Sequence, residues 1–328
     1  MSRPLESGIA VVALCAGLSS CFLVPGGGGG GGTGGGTATS FTSGFATVRK
    51  DDRNLFVTDE RDVNSPVQLT STGGVSMPSF SRDGRQVVFA RKLGQDSELA
   101  LVAVSGGTPT TVLRSTATQQ NFRTPVFSPD GQRIAFAYDE NATSSSVGVV
   151  NVDGSNFRKV IGGSALAYAS PSWFPDGQSL LVSAGNAGLM QTQVEKVDVT
   201  SGTPTPITNT LGLEALSIAS RIVVSPDGKR AAFDGRVATG VTRIFVLDLA
   251  TRMVTRQRDP SSGAVNDSAP AWLNANVFVF SSDEGGNDQV YRQTVGSSNA
   301  VLAVPLAIEP AYVAPPVAPD AGVPDGGP

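Results

Sequence analysis

A repeat constrains this chain more than any other feature. Four segments align without a gap: Pro78-Ser-Phe-Ser-Arg-Asp-Gly-Arg-Gln-Val-Val-Phe89, Pro125-Val-Phe-Ser-Pro-Asp-Gly-Gln-Arg-Ile-Ala-Phe136, Pro171-Ser-Trp-Phe-Pro-Asp-Gly-Gln-Ser-Leu-Leu-Val182 and Ile222-Val-Val-Ser-Pro-Asp-Gly-Lys-Arg-Ala-Ala-Phe233. A fifth, Pro270-Ala-Trp-Leu-Asn-Ala-Asn-Val-Phe-Val-Phe280, matches with one residue deleted and the Asp-Gly lost. Successive copies begin 47, 46, 51 and 48 residues apart, a period that suits one four-stranded propeller blade.

Each copy reads in the same physical way. An aromatic or apolar residue (Phe80, Phe127, Trp173, Val224, Trp272) sits in a short first strand. Pro-Asp-Gly then makes a tight turn. Pro supplies φ near −65°, Asp tolerates the third position, and Gly takes the left-handed conformation at the fourth. A strongly apolar second strand follows, such as Gln86–Ala90 or Arg133–Ala137. Third strands are expected at Leu99–Val104, Val147–Val152, Val194–Val199, Ile244–Leu249 and Gln289–Val295. Fourth strands are expected around Thr110–Leu113, Arg158–Ile161, Thr205–Thr208, Met253–Gln257 and Val301–Val304. No stretch shows sustained helical periodicity.

The two ends of the repeat region complement each other. Phe45–Lys50, Asn54–Thr58 and Val67–Thr70 look like the second, third and fourth strands of a blade that lacks its first. Pro310-Ala-Tyr-Val313 has the Pro-x-aromatic pattern of a first strand. The expected fold is therefore all-β: a six-bladed β-propeller of four-stranded antiparallel blades over residues 42–313, closed by pairing of N- and C-terminal strands. Residues 314–328, rich in Pro, Gly and Asp, are expected to form a disordered tail.

The N-terminus reads as an address. Residues 8–18 form an apolar run of eleven, which suits a signal-peptide core and is too short for the ~20 residues that span a bilayer. Leu18-Ser19-Ser20-Cys21 resembles the bacterial lipobox. That resemblance implies a signal peptide over residues 1–20, cleavage before Cys21, and acyl chains on the Cys21 thiol and new amino group. Several chains together anchor a protein stably. Phe22, in place of Asp at the second mature position, implies sorting to the outer membrane by the rule of enteric bacteria. Seven glycines, Gly26 to Gly32, sit within an expected flexible tether over residues 21–41. Residues 22–40 would reach roughly 25 Å on average.

Composition removes several kinds of chemistry. The chain has no histidine, which excludes Ser-His-Asp and Cys-His catalysis and His-bound zinc. Its two cysteines, Cys15 and Cys21, both precede the repeats, so the repeats hold no disulfide or thiolate metal site. Charged residues are 16% of the chain and the net charge is -4, which disfavours nucleic acid as a partner. Asp83, Asp130, Asp176 and Asp227 are read as turn chemistry repeated with the turn. The sharper alternative is a carboxylate ring holding a cation at one mouth. The acidic loop Asp283–Asp288 lacks the ligand spacing that wraps calcium and is read as a solvated hairpin loop. Asp51, Asp52 and the Asp59–Asp62 run are read as loop ends. The aromatic first-strand residues are read as packing between blades, with a binding platform as the alternative. No catalytic residue, metal ligand or cofactor is assigned, and Cys21 is the single site residue, as the lipid attachment point.

The Pro-x-aromatic-Ser-Pro-Asp-Gly-x-x-Ile-x-Phe pattern resembles the TolB-type (WD40-like) propeller repeat of bacterial envelope proteins, over about residues 42–313. The same blades are used in the non-catalytic domain of prolyl oligopeptidase-like peptidases and in pectin-degrading lyases. The lyase branch binds metal through histidines, which this chain lacks. TolB carries an additional N-terminal α/β domain where this chain has only the tether, so a full equivalent is not expected. The resemblance implies a non-enzymatic, monomeric envelope lipoprotein whose propeller is a scaffold for envelope proteins, lipid-anchored in the outer membrane and facing the periplasm. The alternative is a propeller that binds glycan or cell wall, or acts on polysaccharide.

Overall fold

The structure, a computed structural model, describes residues 41–315 apart from 164–165, 187–190, 209–210, 212–214, 239 and 261–263. The expected signal peptide, Cys21, the tether up to residue 40 and the tail from residue 316 lie outside the described residues.

Among the described residues, twenty-four strands account for nearly all regular structure, beside one 3₁₀ turn at Glu284–Gly286. Among the described residues no helix is long and apolar enough to cross a membrane. The first three strands are β1 (Gly44–Val48), β2 (Leu55–Asp59) and β3 (Val67–Gln68). Five sets of four follow. The first set is β4 (Val75–Phe80), β5 (Gln86–Leu93), β6 (Asp96–Ala103) and β7 (Thr110–Arg114). The second is β8 (Gln120–Phe127), β9 (Arg133–Asn141), β10 (Ser144–Asn151) and β11 (Arg158–Ile161). The third is β12 (Leu166–Trp173), β13 (Ser179–Asn186), β14 (Gln191–Asp198) and β15 (Pro204–Thr208). The fourth is β16 (Ser217–Val224), β17 (Arg230–Arg236), β18 (Thr242–Asp248) and β19 (Val254–Arg256). The fifth is β20 (Asp267–Trp272), β21 (Val277–Ser282), β22 (Gln289–Thr294) and β23 (Ala300–Val304), and β24 (Ile308–Val313) ends the order. Every pairing is antiparallel within the order first-second-third-fourth. β24 fills the missing first position beside β1, with Phe45 opposite Tyr312 and Ala46 opposite Ala311.

Among the described residues the sheets number four of four strands and one of eight. The eight-stranded sheet is two four-stranded units joined at a single pair, Gln191 with Ile218. β15 covers β14 only from Val194 onward, which leaves the edge at Gln191 open, and Ile218 takes it.

Packing closes the ring. The first strands touch in succession: β4 with β8, β8 with β12, β12 with β16, β16 with β20, β20 with β24, and β24 with β4. An apolar cluster fills each of the six gaps between neighbouring four-stranded units. In the closing gap Phe45 of β1 packs with Val279, Val290 and Val304 of the last full set. Alternation along each strand places apolar side chains on both faces, so each unit is buried between two others. The first-strand aromatics do what the packing reading expects. Phe80, Phe127, Trp173 and Trp272 lie in four different gaps, each against the preceding unit. Phe41, the last residue assigned to the tether, stacks on Phe80 at 5.8 Å between ring centroids.

Candidate functional site

The four Asp-Gly turns, three with proline before the aspartate (Pro129, Pro175, Pro226) and one with Arg82, set one rim of the ring. In three of them a serine opens the turn: Ser81, Ser128 and Ser225. The glycine amide donates back to the serine carbonyl, at 2.9 Å in the Gly84 turn, 2.8 Å in the Gly131 turn and 2.8 Å in the Gly228 turn. The serine hydroxyl donates to the aspartate at 2.6, 2.5 and 2.6 Å in the same order. It also accepts the amide of the next strand's first residue, Gln86, Arg133 or Arg230. That hydroxyl is the main reason Asp83, Asp130 and Asp227 are held below the usual carboxylate range. In the third turn Phe174 replaces the serine, and Asp176 accepts the amides of both Gln178 (2.8 Å) and Ser179 (3.0 Å). Asn274 takes the same role in the shortened fifth copy, accepting from Asn276 and Val277. These carboxylates sit on separate turns and serve the backbone. Among the described residues no group of three or more Asp or Glu is placed to hold a metal ion.

Inside the rim, each first strand breaks its ladder at the middle. Five of the breaks centre on a residue followed by proline that adopts a left-handed backbone: Met77 (φ 49°), Thr124 (φ 47°), Ser170 (φ 51°), Ala269 (φ 51°) and Glu309 (φ 53°). That region is sparsely used by non-glycine residues, so its repetition at one position marks a built bulge. The bulges frame a central cavity of about 530 Å³ lined by all six first strands and by the turn prolines Pro129, Pro175 and Pro226. Trp173 and Trp272, the two tryptophans of the chain, lie in its wall with only 6% and 8% of their surface exposed. Each indole N–H is spent on a neighbouring backbone carbonyl, Val126 at 3.2 Å and Val223 at 2.9 Å.

Charge along the axis is uneven. The wall of this cavity carries Arg82 and Arg221 and no carboxylate. A smaller cavity of about 190 Å³ towards the opposite rim is lined by Asp283, Asp288, Glu309 and Lys50, with the lysine 2.7 Å from Asp288.

One buried carboxylate, one half-buried carboxylate and one buried arginine brace the centre. Arg221 is 7% exposed, and its Nη2 donates to the carbonyls of Ala269 and Pro310 on the next two first strands. Burial pushes its pKa down to about 10, opposed by the nearby charges of Glu309 and Asp234. Asp234 is fully buried and accepts from the Ser220 amide (2.9 Å), the Ser220 hydroxyl, the Arg221 amide (3.0 Å) and the Ala269 amide (3.0 Å). Glu309 accepts from Arg53 (2.8 Å) and the Met77 amide (2.7 Å), while its own amide donates to Ser281. Arg221 Nε and Thr124 Oγ1 have no hydrogen-bond partner among the described residues.

These bracing residues were not among the sequence candidates, yet two left a trace. Ile222 stands where four other copies have proline, so Arg221 precedes the one non-proline at that position. Asp234 follows Phe233 where the other copies have Ala90, Ala137, Ser183 and Ser281. The acidic loop is not merely solvated. Arg258, itself buried, bonds both Glu284 (2.7 Å) and Asp267 (2.8 Å) and ties the loop to the packed body.

The comparisons with known proteins fit this architecture. A curated relative, the Tol-Pal system protein TolB of Francisella tularensis subsp. holarctica (strain OSU18), is 27% identical over 170 residues, covering 50% of this chain and 37% of the relative. The match therefore spans well under half of that protein. The crystal structure of TolB from Acinetobacter baumannii superposes with a TM-score of 0.65 at 18% identity, covering 84% of this chain and 67% of that one. An oligogalacturonate lyase in complex with manganese shares the fold at a TM-score of 0.53 and 18% identity, covering 76% of each chain. The family described as TolB beta propeller domain matches residues 39–217, more than half of the chain. This chain, with its repeated turns and ring of first-strand bulges, belongs to that family.

Proposed function

We propose that this protein is a non-catalytic cell-envelope lipoprotein, anchored through acyl chains on Cys21, whose propeller holds another envelope protein at the mouth of the central cavity. The observation that carries the reading is the cavity itself: about 530 Å³, walled by all six first strands and rimmed by turn prolines. Each wall segment is fixed by a bulge or a buried side-chain bond, so a partner docks on a surface that is already ordered. The relatives' place in a Tol-Pal system supports an envelope protein as partner. A tether from Cys21 would raise the local concentration near the membrane. The glycan reading finds less support, because sugar stacking needs an open aromatic face and both tryptophans are largely covered. The lyase-like reading lacks the histidines that the resemblance implies.

A photo-crosslinking residue at Pro226, on the rim, and another at Leu302, on the outer edge, test this in intact cells. The expected result is an adduct with one envelope protein from Pro226 and none from Leu302. Equal adducts from both positions, or retention of the pure protein on peptidoglycan with no protein adduct, would reject it. Cys21→Ser should leave the membrane fraction, and gel filtration should give a monomer.

A further inference from the structure

We propose that Glu195 is an acid-sensitive latch in the gap between the second and third four-stranded units, which it holds most tightly as the neutral carboxylic acid and loosens as it ionises. Glu195 lies on β14 opposite Val182 of β13, and strand alternation turns both towards the apolar cluster shared with the second unit. That cluster sets Val149, Val160 and Ile161 of the second unit against Leu180, Val182 and Val197 of the third. Glu195 is 7% exposed, and its Oε2 is buried with no hydrogen-bond partner among the described residues. The neutral acid forgoes at most a hydrogen bond there. The carboxylate leaves an unpaired charge in a low-dielectric gap, which costs far more.

The strands packed around Glu195 bring it no cation. β10, β13 and β15 carry no titratable side chain, and β12 carries only Tyr168, whose hydroxyl faces the carboxyl. On β11, Arg158 donates to the carbonyls of Val199 and Thr200, and Lys159 is 2.6 Å from Glu140. On β9, Arg133 donates to the Gly177 carbonyl and lies over the Trp173 ring, while Asp139 is paired with Arg123 of β8. Tyr138 packs in the gap towards the first unit and donates to Glu140. On β14 itself, Lys196 lies over the Phe174 ring, and Asp198 accepts the amides of Thr200 and Ser201. Burial accordingly pushes the Glu195 carboxyl above the ordinary glutamate value, with the Tyr168 hydroxyl opposing. The chain has no histidine, both cysteines precede the repeats, and all four tyrosines are pushed up from their ordinary value. A proton response of the ring near neutrality therefore falls to a displaced carboxyl of this kind.

The folded carboxyl binds its proton more tightly than the unfolded one. Its contribution to stability is therefore complete below the unfolded value, about pH 4.3, and is lost as pH rises through the folded value. Across that window the unfolding equilibrium constant should rise by up to about tenfold per pH unit, the limit for one linked proton. Urea denaturation of the full chain from about pH 4.5 to about pH 8, beside the variant Glu195→Gln, measures this. The parent midpoint should fall with rising pH. The glutamine variant keeps the shape of the neutral acid and should lose that fall, and subtracting the two profiles removes what the turn carboxylates contribute. Tyr168→Phe takes away the opposing hydroxyl and should move the fall to higher pH, which keeps the test valid should the glutamine variant not fold. Amide exchange, corrected for its intrinsic pH dependence, should quicken in β11 and β12 of the parent before it does in β20 to β23. Equal profiles in the parent and the glutamine variant, a flat parent profile, or an unmoved profile in Tyr168→Phe overturns the latch. Loss of protection at the same pH all round the ring assigns the proton to global unfolding and overturns it as well. A partner adduct at Pro226 is independent of every one of these results, so the proposed function stands or falls separately.

Discussion

Asp234 is the residue on which the centre of the ring most depends. It is fully buried and answers four donors from two first strands. Asparagine keeps the shape but turns an N–H₂ towards amides that need an acceptor. Asp234→Asn should therefore cost about 3 kcal/mol, read as a lower denaturation midpoint with an unchanged m-value. The turn aspartates are a milder case. Asp130 is held below its ordinary pKa chiefly by the Ser128 hydroxyl, with the Gln132 amide second. Because the folded pKa is depressed, its contribution is complete above about pH 4 and is lost as pH falls through the folded value. Ser128→Ala should raise the Asp130 pKa towards the ordinary carboxylate value in a carbon-detected NMR titration. The turn roles of these aspartates were legible in the sequence because the bonds run over two to five residues. Asp234 and Arg221 were not, because their partners come from strands up to 89 residues away.

At the level of the element, the unit is a hairpin whose turn and whose middle are both specified. The turn glycine at Gly84 combines a φ of 69° with the close approach of Val313. Gly84→Ala should destabilise by about 1–2 kcal/mol, because it adds both left-handed strain and a contact with the closing strand. The equivalent change at Gly131, which has nothing within 4 Å of a Cβ, should cost only the backbone part. Comparing the two melting curves separates conformation from contact. The strands themselves follow from the alternation and β-branched content of the repeats, and the observed elements fall where the spacing places them. The bulges do not follow. A residue before proline is expected to be extended, yet five such residues are left-handed. The inner strands converge on one axis, and the bulge turns each of them so that the amides at Met77 and Ala269 can meet the carboxylates of Glu309 and Asp234.

For the whole molecule, closure is the decisive event. β24 supplies the first position of the composite unit, and Glu309 within it bonds three other elements through Arg53, the Met77 amide and Ser281. A chain ending at Leu306 would lose that strand, the Pro310 carbonyl that Arg221 needs, and the apolar side chains that β24 adds to two gaps. That sum rivals the ~5–15 kcal/mol by which a domain is stable, so no cooperative thermal transition should remain in circular dichroism. A chain ending at Pro315 should melt as the full chain does. The repeat, the strand sites, the turns and the pairing of the two ends can all be read from the residues alone, because each rests on local backbone chemistry or on a pattern repeated at a fixed period. The polarity of the axis, the Arg221–Asp234–Glu309 brace, the joining of two units at Gln191 and Ile218, and the cavity emerge once the ring is assembled. Those arise where side chains from several units, remote in the chain, share one low-dielectric centre, and no single unit encodes its neighbours across the ring.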